Sequence, residues 1–180
     1  MMAFFDKFFF AGLLAGAVFG IGSCTSSYAQ VKVIDDNFQP LVKLTGNKQI
    51  YGEYAFTLNA GIDRQNGKVR YGVYMTSTSY TYDWHRWNKA SASNARELVL
   101  ISINRDVHTC GNPFCYFVET VGVLLPEGAV EAAAKGEVQQ IKLFARSGET
   151  YLYTVEPAVA AALTEAVNAQ KSLMGPTNAR

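Results

Sequence analysis

The sequence has little excess charge of either sign. Its 180 residues include 16 Lys and Arg residues and 15 Asp and Glu residues, which gives a formal net charge of +1. Domains that bind nucleic acid usually carry a strong excess of Lys and Arg, and segments that bind anionic lipid carry a polybasic run. The sequence shows neither feature. We therefore expect no nucleic-acid partner and no electrostatic binding to a membrane.

The chain also lacks the motifs of the common cofactor and metal sites. It contains no phosphate-binding loop, dinucleotide-binding fingerprint, zinc-protease motif or calcium loop. It shows no internal repeat at a fixed period and no low-complexity tract. From these absences we predict no cofactor and no metal, and no motif assigns a catalytic residue.

The first 29 residues have the pattern of a signal peptide. Lys7 precedes an apolar run at residues 8–21, and Ser27-Tyr28-Ala29 has the small-x-small form of a signal-peptidase site. The apolar run is short for a bilayer span, and an uncleaved anchor is the alternative. The pattern predicts export, to a bacterial periplasm.

A second cleavage site competes with the first. Ile21-Gly22-Ser23-Cys24 resembles a bacterial lipobox, in which the cysteine becomes the lipidated first residue. Lipidation at Cys24 would tether the protein to a membrane, whereas cleavage after Ala29 would release it, and the sequence leaves both open. Either event removes Cys24 as a free thiol, so Cys110 and Cys115 remain as partners for each other.

These two cysteines flank a turn. Cys110 and Cys115 enclose Gly-Asn-Pro-Phe, and residues 98–107 and 116–125 on either side have the composition of β-strands. Two neighbouring thiols usually pair in an oxidising compartment. A redox-active pair would have two intervening residues and a helix N-terminus, and neither is present. We predict a structural disulfide across a β-hairpin.

A second hairpin is predicted at residues 54–82. Apolar residues alternate over residues 54–62, and Asn66-Gly67 is a preferred two-residue turn. Such a turn would place Ile62 opposite Tyr71. The small polar residues 88–94 that follow predict a surface loop.

The remaining elements complete a single predicted domain at residues 30–174, followed by a frayed tail at 175–180. Residues 127–135 predict a short helix, residues 138–145 and 150–155 a third hairpin, and Pro157 begins a C-terminal helix. We predict an α+β fold. It is mainly an antiparallel β-sandwich or open barrel of about seven or eight strands, with the C-terminal helix packed on the sheet.

Aromatic residues are concentrated between residues 74 and 87. Rings in a row provide rigid contact area and cation–π partners, as in surfaces that bind sugars or peptides. The alternative is that the C-terminal helix covers this face. The candidate ligand face consists of Tyr74, Tyr80, Tyr82, Trp84, His85 and Trp87.

The two histidines suggest a rival function. A small periplasmic hydrolase or metal-assisted enzyme could be centred on His85 beside Asp83, or on His108 near Cys110 and Glu119. No nucleophile accompanies Asp83 and His85, and an oxidised Cys110 could not bind a metal. Catalysis is therefore the second hypothesis.

Residues 98–167 resemble small exported or lipoprotein β-rich domains of proteobacteria that have no assigned function. The resemblance lies in the cysteine hairpin, in IKLFARSGETYLYTV and in EPAVAAALTEAV. It implies a β-rich periplasmic domain and no particular activity. We expect a non-catalytic periplasmic or envelope-associated binding or structural module, whose partner is an envelope protein, a glycan or an apolar ligand.

Overall fold

The computed structural model describes residues 30–35, 39–81, 84–111 and 114–174. The signal-peptide segment with Cys24, the candidate residue Tyr82, Asp83 and the tail at 175–180 lie outside these residues, so the predictions made for them stay predictions. The described elements are β1 (Val31–Ile34), β2 (Leu41–Gly46), β3 (Gln49–Tyr51), β4 (Tyr54–Asp63), β5 (Val69–Thr81), β6 (Trp87–Ala92), β7 (Glu97–Leu98), β8 (Leu100–Gly111), β9 (Phe114–Leu124), α1 (Ala129–Ala134), β10 (Gln140–Ala145), β11 (Thr150–Thr154) and α2 (Pro157–Met174).

The strands form two antiparallel sheets that share one core. Sheet A has the order β1-β2-β4-β5-β9-β8, with β3 also paired to β4, and sheet B has the order β11-β10-β6-β7. Buried apolar residues of both sheets and both helices form a single cluster. The predicted α+β class is confirmed. The described part of the chain contains eleven strands rather than seven or eight, because several are only two to four residues long.

The C-terminal helix α2 covers the inner face of sheet A at β1, β2 and β4. Its Val159, Leu163 and Val167 recur at four-residue steps and are all buried, as the sequence pattern predicted. The helix packs against α1 and against β1, β2 and β4. Since α2 lies on the side of the core, it does not cover the opposite face of sheet A, which carries Tyr74.

The β4–β5 hairpin has a different register from the predicted one. Ile62 pairs with Val69, not with Tyr71, because the connection is a four-residue loop. The Asp63 carbonyl accepts the Gly67 amide at 2.8 Å, and the Asp63 carboxylate accepts the Gln65 amide at 2.8 Å. The register moves by two residues, and a shift of two keeps every side chain on its predicted face.

The predicted loop at residues 88–94 is wrong. Residues Trp87–Ala92 form β6, an interior strand of sheet B between β10 and β7. Ala90 is fully buried there. Small side chains such as Ala90 fit between an interior strand and the facing sheet, so a composition typical of a loop is compatible with a buried strand here.

The cysteine hairpin is confirmed. Cys110 and Cys115 form a disulfide with a Cα–Cα distance of 4.0 Å, and they are paired residues of β8 and β9. Strand β8 is the edge of sheet A and is exposed along nearly its whole length. The disulfide therefore closes the end of the β8–β9 hairpin, where β9 is also paired with the end of β5, and neither cysteine belongs to the core cluster.

Candidate functional site

The structure separates the predicted aromatic face into buried and exposed parts. Trp87 is only 1% exposed, and its Nε1 donates a hydrogen bond to Ser77 Oγ across the two sheets at 3.0 Å. The prediction that Trp87 belongs to an exposed ligand face is therefore wrong. The reason is that Trp87 begins β6, a strand that sequence analysis did not identify, and its ring fills the space between the sheets.

Trp84 and His85 are also turned away from the outer face of sheet A. Trp84 is half-buried with its ring 4.8 Å from that of Phe117, and His85 packs near Tyr54 and Trp87. Of the described candidate residues, Tyr74 and Tyr80 lie on the outer face, where they are 47% and 59% exposed. The outer face thus retains part of the predicted aromatic surface.

Three glycines lie on a diagonal across this outer face. Gly61 is in β4, Gly72 in β5 and Gly122 in β9. Gly72 lies opposite Asn59 and Leu124, while Gly122 lies opposite Tyr74 and Ile101. A glycine inside a strand often marks a place where another group approaches the backbone closely. Gly61 and Gly72 line a shallow groove, whereas the space above Gly122 is occupied by the side chains of Tyr74 and Ile103.

The sides of this groove are mainly apolar. Leu41, Tyr74, Ile101 and Leu124 each keep between a third and a half of their surface exposed, and they line a cavity of about 330 Å³. This is at the lower end of the volume range of small-molecule sites, about 300–1,000 Å³. We name the cavity and its glycine floor the outer groove.

One end of the outer groove is basic. Lys43 and Arg70 are the two residues paired with Gly61 across β2 and β5, and both line the cavity. The groove therefore combines a floor of glycine backbone and mainly apolar sides with two cations at one end. Sequence analysis missed it except for Tyr74. The strand-interior glycines were the available signal, but their alignment depends on registers that cannot be read from local sequence.

His85 belongs to a partly buried polar cluster, in which its own side chain is 13% exposed and that of Glu149 is 37% exposed. Its Nδ1 lies 2.6 Å from Glu149 Oε2, and the Tyr54 hydroxyl donates to Glu149 Oε1. Burial, and then the hydrogen bond to Glu149, raises the pKa of Tyr54, so this tyrosine stays neutral and cannot act as a base near neutral pH. The other histidine nitrogen, Nε2, is buried. The cluster connects β4 to the β10–β11 turn.

His108 has surroundings of a different kind. It lies exposed on β8 with its ring 6.1 Å from that of Tyr116. Cys110 is held in the disulfide, and Glu119 points into the core, where it binds Arg105. The described residues contain no group of three or more His, Cys, Asp or Glu side chains that could hold a metal ion. The structure thus does not bring together the His108, Cys110 and Glu119 set.

Comparisons with protein-family models, with curated proteins and with solved structures found no match to this chain. Within the described ranges, no helix has both the length and the apolar character needed to cross a membrane. The functional conclusion therefore depends on the geometry of the chain itself.

Proposed function

We propose that the protein is an exported, non-catalytic binding module that holds an apolar chain with an acidic head group in the outer groove. The observation that carries this proposal is the cavity in which Gly61 and Gly72 form the floor between exposed apolar side chains. Groups of exposed apolar side chains on a soluble domain often mark an interaction site. Here the sheet backbone itself forms the floor.

The charge distribution favours this ligand class. An extended acyl chain would contact the glycine floor and remove Leu41, Ile101 and Leu124 from water, which is worth about 25 cal/mol per Å² of apolar surface. Its carboxylate would lie at the end that holds Lys43 and Arg70. Tyr74, the predicted aromatic contact, forms one wall. A glycan would need more polar partners than these sides provide.

A small hydrolase centred on His85 is the second candidate. It is favoured by the 2.6 Å contact between His85 and Glu149, which fits a base with an orienting carboxylate. It ranks lower because the free His85 nitrogen is buried and the adjoining Tyr54 is held neutral.

Filling the groove provides the test of the binding function. A Cβ at Gly61 would meet only Leu41 Cδ1, at 3.8 Å, so Gly61→Val introduces bulk without a clash. Valine also favours an extended strand more than glycine does. We expect Gly61→Val to keep or raise the melting temperature and to weaken dodecanoate binding about tenfold or more in calorimetric titration.

A matched pair of variants controls for general loss of apolar surface. Leu124→Ser removes an exposed leucine from the groove, and Leu152→Ser removes one from sheet B. We expect the first to weaken dodecanoate binding several-fold and the second to leave it unchanged. Equal binding by the wild type, Gly61→Val and Leu124→Ser would reject the groove as the site.

Export is tested separately by mass spectrometry of the mature protein. Cleavage at either predicted site gives a chain that begins at Gln30, or a lipidated chain that begins at Cys24. A mature protein that retains the complete N-terminal segment and stays in the cytosol would reject the exported part of the proposal.

A further inference from the structure

A second cavity adjoins the outer groove at its basic end. It has a volume of about 540 Å³ and lies between the β4–β5 loop, the residues that follow β9, the helix α1 and the last turn of α2. Arg70, Tyr71 and Leu124 line both cavities. A head group beside Arg70 can therefore extend from the outer groove into this second space, which we name the end cavity.

The end cavity contains a carboxylate oxygen that makes no hydrogen bond. Glu131 of α1 lines the cavity, and its Oε2 is buried without a hydrogen-bond partner among the described residues. Tyr71 lies beside this carboxylate, because burial and then the charge of Glu131 raise the pKa of the tyrosine. Buried carboxylate oxygens in native proteins are normally paired. Glu131 Oε2 thus marks a position at which an N–H group of a ligand would be stabilised.

Cationic side chains line the same cavity. They belong to Lys68, Arg70 and Lys171, and none of them is paired with a carboxylate in the part of the chain that the structure describes. The remaining charged residue of the lining is Glu127, which is exposed. The end cavity therefore offers partners to both signs of charge, whereas the charged lining residues of the outer groove are all cations.

We infer that the ligand is a single-chain lipid with a zwitterionic head group whose positive charge is a primary ammonium, an inference that rests on the proposed function of the outer groove. The acyl chain lies in the outer groove, the anion beside the shared Arg70, and the ammonium at Glu131 Oε2. A primary ammonium carries three N–H donors, and its hydrogen bond to a carboxylate is charge-assisted. A trimethylammonium group has no N–H donor and would leave Oε2 unpaired.

Calorimetric titration with two pairs of lipids tests the inference, since each pair differs at the ammonium group. Lysophosphatidylethanolamine and lysophosphatidylcholine with a dodecanoyl chain form the phosphate pair. Nα-dodecanoyl-lysine and Nα-dodecanoyl-norleucine form the carboxylate pair. We expect the wild type to bind the member with the primary ammonium about tenfold more tightly. A preference within the phosphate pair alone would identify a phospholipid, and one within the carboxylate pair alone would identify an acylated amino acid.

Two carboxamide variants locate the ammonium. Glu131→Gln keeps the shape of the side chain and an oxygen beside Tyr71 but removes the charge. We expect this variant to keep the wild-type melting temperature, to lose the preference for the primary ammonium and to bind dodecanoate as the wild type does. Glu137→Gln changes an exposed carboxylate outside the cavity, so this control should retain the preference.

Equal affinities of the wild type within both pairs, or a preference that Glu131→Gln retains, would overturn the inference. The comparison within each pair uses the wild type alone, so it does not depend on the folding of a variant. Dodecanoate carries no ammonium, and its binding tests the outer groove alone. The inference and the proposed function can therefore fail separately.

Discussion

Glu119 and Arg105 form an ion pair whose two partners differ greatly in exposure. The Arg105 guanidinium donates to Glu119 Oε1 from Nε and Nη2, and the Arg105 side chain keeps 42% of its surface exposed while Glu119 keeps 1%. If the pair is broken, the arginine can turn into water, but the carboxylate has no route to solvent. Removing the arginine should therefore cost more stability than removing the charge of the carboxylate.

This asymmetry predicts an order of stability for two variants. Arg105→Gln leaves a buried carboxylate without its charged partner and should lower the free energy of unfolding by about 3 kcal/mol. Glu119→Gln keeps an acceptor for the Arg86 amide and should cost only about 1 kcal/mol. Urea unfolding of both variants gives the comparison. A larger loss of unfolding free energy for Glu119→Gln than for Arg105→Gln would contradict the view that the buried carboxylate needs Arg105 as its charged partner.

The two tryptophans should differ in a similar way. Trp87→Ala removes a ring from between the sheets together with its hydrogen bond to Ser77, so we expect a loss of about 3–5 kcal/mol in the free energy of unfolding. Trp84 is half-buried against Phe117, and Trp84→Ala should cost about 1–2 kcal/mol. Denaturant unfolding measures both. Equal losses would contradict the assignment of Trp87 to the core and of Trp84 to a half-buried position.

Removing the disulfide should have a small and local effect. The bond closes a loop of about six residues, for which the chain-entropy model gives about 2 kcal/mol. We expect the double variant Cys110→Ser, Cys115→Ser to lose about that amount in urea unfolding. Hydrogen exchange at β4 and β5 should stay slow when exchange near residues 109–116 becomes faster. Global loss of protection would mean that the β8–β9 hairpin supports the core.

Three buried tyrosines predict a loss of stability at alkaline pH. Burial raises the pKa of Tyr54, Tyr71 and Tyr153 above the ordinary value, with further increases from Glu149 at Tyr54 and from Glu131 at Tyr71. Below about pH 10 these groups are protonated in both the folded and the unfolded chain, so their contribution is complete. Above it the unfolded chain releases protons that the folded chain retains, and stability falls.

Above about pH 10, each such tyrosine should lower the free energy of unfolding by about 1.4 kcal/mol per pH unit. Urea midpoints measured from neutral to strongly alkaline pH should therefore be flat and then fall steeply. Tyr153→Phe should make this fall with pH less steep, because it removes one of the three buried hydroxyls. A wild-type curve that is flat throughout would contradict the burial of these hydroxyls.

Local sequence patterns were sufficient to predict which face of a strand is buried, but not which residues of neighbouring strands are paired. Ile62, Ala60 and Leu58 alternate with polar residues, and all three are buried as predicted. Their partners were displaced by two residues, because the Asp63 side chain stabilises a longer loop than Asn-Gly alone suggests. Strand β6 was missed because its small residues resemble those of a loop until they are placed between two other strands.

The outer groove and the surroundings of Glu119 depend on contacts between distant segments. The register of β4 with β5 and that of β5 with β9 together determine how Gly61, Gly72 and Gly122 align. The Arg86 amide donates to Glu119, which is 33 residues away in the sequence. The alternation of apolar and polar residues within one segment does not indicate which distant segments it will contact. The sequence could therefore indicate an outward-facing Tyr74 but not the groove beside it.

The central claim is most directly tested by mapping dodecanoate onto the protein by NMR titration of backbone amides. We predict saturable shifts at Gly61 and Gly72 and at the lining residues Lys43 of β2 and Ile101 of β8, with the β10–β11 turn unaffected. Saturable shifts confined to the surroundings of His85 and Glu149, or no saturable shift at Gly61 and Gly72, would contradict the account.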